Sequence, residues 1–554
     1  MDFQKYLRIA LLVVVALLFG TLWVKWQQKY DVPTPQTIQT QQATNTGDAP
    51  NLSLNTATTS TATTITSTPA TGVAPTSNSL VTVTTDVLKT TIDLQGGNIV
   101  SAQLLQYPEA LKSKTPFTLL SDNADNYYIA QSGLIGAGLP KSMPTYTSAQ
   151  TSYDLNNQNQ VVVSLTWQSN GLKLIKTYTF TKGKYDIAVN YHIINLANQP
   201  WQGRFYGQLL RKPVEVEHSL LSSYTTFTGA AMSTPSNHYE KFKFENLAEE
   251  NINQSAQGGW IAMVQHYFIS AWVPNQQQTN QYYSQQYQDN IYGVGVSNPT
   301  ISIAAHGQAD TGATLYMGPA ISTLLKPVAS DLNLTIDYGW LWFISIAIFA
   351  VMSWIHDVLP NWGVAIILVT ILIKMIFYPL SAKSYRSMAR MRQLQPKLKA
   401  LKERIGDDRQ KMGRATMELY RDEKVNPLSG CLPMLVQIPV FIGLYWMLME
   451  SVELRQAPFI FWIHDLSQRD PYFVLPVLMG LSMFIQQRLN PAPPDPMQAK
   501  VMMFLPVIFT AMFLSFPAGL VLYWLVNNVV SVLQQWYVMR KVNAQTSNKM
   551  PVKQ

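Results

Sequence analysis

Cysteine is almost missing from this chain: Cys431 stands alone among 554 residues. That excludes an intrachain disulfide, a cysteine-based zinc site and a CxxC redox motif, and leaves the compartment of any soluble part open. Histidine is scarce too. His192, His218, His238, His266 and His306 are scattered, with no HExxH spacing for a metal. No GxSxG elbow occurs, and Gly293-Val294-Gly295 lacks the third glycine and the following helix of a dinucleotide loop. His192, in a strand-like run, reads as a packed or surface histidine rather than a base. Asp186, Glu215 and Glu217 have the chemistry of a carboxylate pair, but nothing in the sequence fixes their geometry. With no nucleotide motif either, the chain reads as a non-enzyme without cofactor or metal.

Acidic residues are outnumbered, 32 against 40 Lys and Arg, for a net charge of +8. The bases cluster beside long apolar runs, the pattern of a membrane protein's cytoplasmic loops rather than of a nucleic-acid binder. The 47% apolar content hides two chemistries, since apolar runs near both ends flank a Thr/Asn/Gln-rich middle. Leu7 to Val24 is the first such run, preceded by Lys5 and Arg8 and followed by Lys25 to Lys29 with no small-x-small cleavage site. Residues 1–30 read as an uncleaved anchor whose balanced flanks do not set its orientation. Residues 31–79 have almost no large apolar side chains to offset the entropy of ordering, and read as a disordered linker. Over 80–330 the pattern changes to short alternating or β-branched runs such as VVVSLTW and LKLIKTYTFTKGKYDIAVNYHIINL, expected to form one large β-sandwich.

Residues 338–357 include YGWLWFISIAIFAVMSWIH, apolar enough to span a bilayer. Trp340, Trp342 and Trp354 mark both its ends, which suits an amphipathic helix lying in the interface. Counting spans favours that reading: both basic ends, Lys5/Arg8 and Arg540/Lys541, then share the side of the most basic loop. Spans are expected at 361–380, 431–450, 472–487, 501–516 and 519–538. The segment 381–426 carries thirteen lysines and arginines and is placed in the cytoplasm by the positive-inside rule, which puts the β-domain outside. Met388, Met391, Leu394, Leu398, Leu401 and Ile405 step by threes and fours before Gly406-Asp407-Asp408, and a second amphipathic helix follows. Together they predict a helical hairpin on the membrane surface. Arg386, Arg390, Arg392, Lys397, Lys399 and Lys402 make it a lipid-attracted surface or a docking site for an acidic partner such as ribosomal RNA. The remaining segments are an outer loop 451–471, a Pro-rich cytoplasmic loop 488–500 and a basic cytoplasmic tail 539–554.

Inside the spans the polar residues are few and patterned. Thr370, Lys374 and Tyr378 are four apart on one helix face, as are Tyr523, Asn527, Ser531 and Gln535, and Gln437 lies within another span. A lysine at mid-span costs roughly 2.5–3.5 kcal/mol on insertion scales. Lys374 could snorkel past Pro379 to the headgroups. Asn and Gln have no such escape, so matching stripes on two spans point to a hydrated interior.

With those residues in hand, the chain resembles the YidC-type membrane protein insertases of the YidC/Oxa superfamily, in their Gram-negative form. The stretches that carry the likeness are YPLSAKSYRSMARMRQLQPKLKALKERIGDD, EKVNPLSGCLPMLVQIPVF, SVELRQAPFIFWIHDLSQRDPY and FPAGLVLYWLVNN. The resemblance implies a polytopic α-helical membrane protein with six transmembrane helices, the last five forming a core, a periplasmic all-β sandwich of the sugar-mutarotase type and a cytoplasmic hairpin. It also implies a groove open to the cytoplasm, a bacterial inner-membrane location with both termini cytoplasmic, and as partners client membrane proteins, the Sec translocon, the ribosome and the lipid bilayer. Lys374 aligns with the family's groove arginine, so the charge is kept but the planar five-donor fork is lost. Thr370 and Tyr523 match groove positions, and Trp524 replaces a common second tyrosine. Tyr378, Gln437, Asn527 and Ser531 complete the expected groove. Two other classes compete on the residues alone: a transporter, which would suit the intramembrane Lys, Asn and Gln but lacks paired interrupted spans, and a sugar-active enzyme on the β-domain, which lacks a catalytic constellation.

Overall fold

The computed structural model describes residues 79–140, 142–213, 227–249, 251–406, 408–423, 425, 432–490 and 496–547. The expected anchor, almost all of the linker, Glu215, Glu217, His218, the Lys402 side chain, Cys431, residues 491–495 of the Pro-rich loop and the end of the tail lie outside the described residues. Two antiparallel-rich sheets, one of eleven strands and one of nine, are built from Leu80 to Pro319. Alternation sets their faces: Leu172–Thr181 buries Leu172, Leu174, Lys176, Tyr178 and Phe180 and turns the intervening residues outward. The inward side chains of both sheets share one apolar core around Trp260, Trp272, Phe205 and Tyr316.

Lys176 is the exception in that core, fully buried at an inward position. Its ammonium donates to the carbonyls of Gly97 at 2.7 Å, Ser132 at 3.0 Å and Gly96 at 3.3 Å. The rings of Tyr178 and Tyr191 lie 5.2 and 5.3 Å from it, close enough for cation–π attraction. The Gly96-Gly97 turn runs at φ +82° and +64°, which glycine adopts without strain, and so aims two carbonyls at one point. Burial pushes the Lys176 pKa well down.

After the sheets come the helices α1 (Trp342–Val358), α2 (Trp362–Ile376), α3 (Tyr378–Gln393), α4 (Gln395–Ile405), α5 (Arg409–Asp422), α6 (Leu432–Glu450), α7 (Val474–Leu489), α8 (Pro496–Phe513) and α9 (Ala518–Ser547). Asn361 caps α2 by accepting from the Val364 N–H at 3.0 Å. The apolar run expected to continue to Leu380 breaks at Phe377, where α2 and α3 bend by 68°. Pro379 is the cause: it sits comfortably in the first turn of α3 but cannot donate within a continuing helix. α9 packs against α2, α3 and α7, while α6 packs against α1. Gly443 lets α6 approach α1 so closely that the Ser345 hydroxyl donates to its carbonyl at 2.8 Å. The α4 and α5 helices lie side by side, tied at their far ends by Lys397 and Glu423 at 2.5 Å.

The β-region and the helices meet at the segment after α6. The Arg455 guanidinium donates to the carbonyls of Pro108 at 2.8 Å and Glu109 at 3.0 Å, and lies 5.7 Å from the rings of both Phe117 and Phe268. The His266 Nε2–H donates to the Met449 carbonyl of α6 at 2.8 Å, and burial pushes the imidazole pKa down to about 4. Beside them Glu453 is pushed up to about 7 by burial.

Candidate functional site

Lys374 on α2 is 6% exposed. It does not snorkel: its ammonium turns into the bundle and donates to Gln437 Oε1 of α6 at 2.9 Å and to Ser531 Oγ of α9 at 2.7 Å. The Gln437 amide then donates to Asn527 Oδ1 and to Tyr523 Oη, the latter at 3.3 Å. The Ser531 hydroxyl donates in turn to the backbone carbonyl of Asn527 at 2.6 Å. Five of the eight expected groove residues, Lys374, Gln437, Tyr523, Asn527 and Ser531, therefore form one connected network. Helical spacing explains it, since Tyr523, Asn527 and Ser531 are stacked one turn apart and Lys374 faces them from α2.

The other three are placed elsewhere. Thr370 is buried but donates to the Ile366 carbonyl of its own helix at 2.6 Å. Tyr378, past the bend, packs with Ala382, Tyr385 and Val538. Trp524 lies among Phe441, Phe509 and Phe513, with ring centroids 4.7 to 6.3 Å away, and its buried indole N–H has no partner among the described residues. Of the hairpin residues, Arg386, Arg390, Arg392, Lys397 and Lys399 are exposed. The histidine readings fare simply: His192 is a surface residue whose Nδ1 lies 2.8 Å from Asp310. Among the described residues no cluster of His, Cys, Asp and Glu could hold a metal.

No carboxylate pairs with Lys374 among the described residues. The cost of placing the lysine in an apolar bundle is met by neutral oxygens alone. Two hydrogen bonds to a charged donor, each worth about 1.5–3 kcal/mol, are of the size of the insertion cost. The space around it is small. Ile373, Phe377, Val436, Gln437 and Val440 help to line a cavity of about 20 Å3, room for about one water. At this point Gln437 bridges α6 to the α2–α9 pair.

The family model described as the YidC periplasmic domain matches residues 80–351, and that of the 60Kd inner membrane protein matches residues 354–546. A membrane protein insertase YidC of Coxiella burnetii (strain Dugway 5J108-111) is 52% identical, with 96% of each chain covered. This chain belongs to the YidC family. A YidC of Legionella pneumophila (strain Paris) is 48% identical over 98% of this chain and 99% of its own. A solved structure titled as an active YidC insertase with its first transmembrane domain resolved is 20% identical, covers 84% of this chain and 93% of its own, and has a TM-score of 0.39. The β-rich region is accordingly the YidC periplasmic domain, and the helices after it are the inner-membrane part.

Sequence reasoning missed several residues of this YidC-family chain that the fold brings together. Gln534, next to the polar stripe, donates to the Lys374 carbonyl at 3.3 Å. Asn528 of α9 donates to Ser482 of α7 at 3.1 Å. The Arg455 and His266 contacts join residues far apart in the chain, and no spacing rule reports those. For Asn528 and Ser482 a signal existed: polar side chains inside apolar runs, one residue out of phase with the stripe.

Proposed function

We propose that this chain inserts other membrane proteins into the inner membrane and helps them to fold, with the Lys374 network as the place where a client's polar segment is received. The observation that carries this reading is a buried cation held, among the described residues, by neutral and exchangeable side-chain oxygens. A carboxylate on a client tail competes well for such a cation, since it adds the attraction of opposite charges at a poorly screened site. Gln437 and Ser531 then release Lys374 and turn to the client's backbone. The apolar part of the client moves along the apolar faces of α6 and α8 into lipid. Transfer of its apolar surface drives the step at about 25 cal/mol per Å2, and no nucleotide is needed.

In this reading residues 361–380, 431–450, 472–487, 501–516 and 519–538 cross the membrane together with the anchor 1–30, and 338–357 lies in the outer interface. The basic segment 381–426 and both termini face the cytoplasm, by the charge rule. The exposed arginines and lysines of α3 and α4 offer the ribosome an electrostatic docking face, and the Sec translocon is the partner for larger clients.

The test is insertion of a small two-span client into liposomes holding the purified chain, compared among wild type, Lys374→Ala and Lys374→Arg. Insertion by wild type and the Arg variant, with loss in Ala, is expected. Unchanged insertion in the Ala variant would remove the cation from the mechanism and leave only its neutral partners.

A further inference from the structure

A second concavity lies far from the lysine network, on the outward face of the nine-stranded sheet in the periplasmic domain. Its volume is about 480 Å3, within the ~300–1,000 Å3 of small-molecule sites. The floor is formed by Ala188 and Asn190 of the strand Asp186–Asn195 and by Asp310, Gly312 and Thr314 of the strand Gln308–Pro319. Gly312 keeps that floor flat: a Cβ there would meet the Val189 carbonyl at 2.2 Å and Asn190 Oδ1 at 2.6 Å.

Two rigid walls stand over the floor. One is the turn Pro274–Gln278, pinned by Gln276, whose amide donates to the carbonyls of Pro274 at 2.7 Å and Gly259 at 3.0 Å and accepts from the Gly259 N–H at 3.0 Å. The other is Asn298-Pro299, fixed where the Asn298 amide donates to the Gly312 carbonyl at 2.8 Å and Thr311 Oγ1 at 3.2 Å. Lysine and arginine are absent from the lining, and its one carboxylate, Asp310, is met by His192. Asn190, Gln278 and Thr314 make no side-chain hydrogen bond among the described residues, so paired donors and acceptors are left for an occupant.

We propose that this cleft binds a neutral, polyhydroxylated ligand of the saccharide class. Each hydroxyl of such a ligand both donates and accepts, which matches a side-chain amide, while Pro274, Pro299 and Ile301 supply apolar surface for its C–H faces. An anionic ligand finds no cation here. The floor strands pair with each other from Asp186↔Tyr316 to Ile194↔Gln308; Leu172–Thr181 backs the first, and Phe268–Val273 backs the second along Thr314–Pro319.

The experiment uses the full chain in a detergent without a sugar headgroup, titrated with maltose, lactose, chitobiose and, as an anionic control, glucuronate, read by saturation-transfer NMR. At least one neutral disaccharide is expected to bind at millimolar concentration or below, ahead of glucuronate. Asn190→Ala and Gln278→Ala, both at exposed positions, should each weaken it about two- to tenfold, the span of one net hydrogen bond. Thermal unfolding of each variant confirms that it remains folded. No binding across the neutral panel, binding indifferent to both substitutions, or preferential binding of an unfolded neutral polypeptide would each overturn the proposal.

Discussion

Among the described residues two lysines are buried, one in each half, and neither has a carboxylate partner there. Lys176 in the periplasmic domain is held by three backbone carbonyls, and the turn and strand that carry them cannot turn away without unravelling. Lys374 in the helical part is held by an amide and a hydroxyl, each free to rotate at the cost of one hydrogen bond. Burial alone does not separate a structural cation from a functional one. What separates them is whether the acceptors can leave.

Four measurements would break or sharpen that contrast. The largest effect is expected for Lys176→Ala, which leaves a cavity where the alkyl stem packed and should cost about 3–4 kcal/mol of domain stability; a loss below about 1 kcal/mol would show that the stem does not pack. A third buried base tests the intermediate case of a single carbonyl acceptor. Unfolded His266 takes up a proton near pH 6.5, whereas the folded imidazole resists until about pH 4. Folded stability should therefore fall as pH drops through that window, by on the order of 3 kcal/mol in total. In His266→Gln, which keeps a donor for Met449, that part of the slope should vanish from acid-unfolding curves.

Paired methionine variants come next. Lys176→Met keeps the volume, and Tyr178 and Tyr191 still donate to the Gly97 and Ser132 carbonyls, so stability should change by no more than about 1–2 kcal/mol and insertion not at all. Lys374→Met should lower client insertion at least about tenfold, equal to about 1.4 kcal/mol, with the protein still folded in detergent. Equal behaviour of the two variants in the insertion assay would erase the distinction. The smallest effect is expected for Thr370→Val, about 0.5 kcal/mol or less, with insertion unchanged, because its hydroxyl serves only its own helix.

Much of this was legible before any coordinates. Alternation marked the strands, and apolar length with basic flanks marked the helical half. Spacing by fours put Tyr523, Asn527 and Ser531 on one helix face and Lys374 on a polar stripe of its own, because helical geometry is local. Spacing failed at Thr370 and Tyr378, the two neighbours of Lys374 on the same stripe. A threonine can satisfy itself on the preceding turn, and the bend at Phe377 carries Tyr378 out of line. Lys176 went unnoticed because a lysine in an alternating strand carries no mark of which face it takes until both neighbours are weighed. The Arg455 rivet was invisible in principle, since its acceptors are backbone carbonyls and carry no residue identity.

If α2 and α7 cross the membrane as proposed, their lengths bear on the lipid around them. α2 has fifteen residues before its bend, about 22 Å at 1.5 Å per residue, and α7 has sixteen, while an ordinary hydrocarbon layer is about 30 Å deep. Under the proposed topology, lipid beside walls this short would draw its leaflets together or leave apolar tails against polar ends. On that proposal a segment crossing there would meet a shallower barrier, and the protein would lower the height of the step by its own stature as well as by its chemistry.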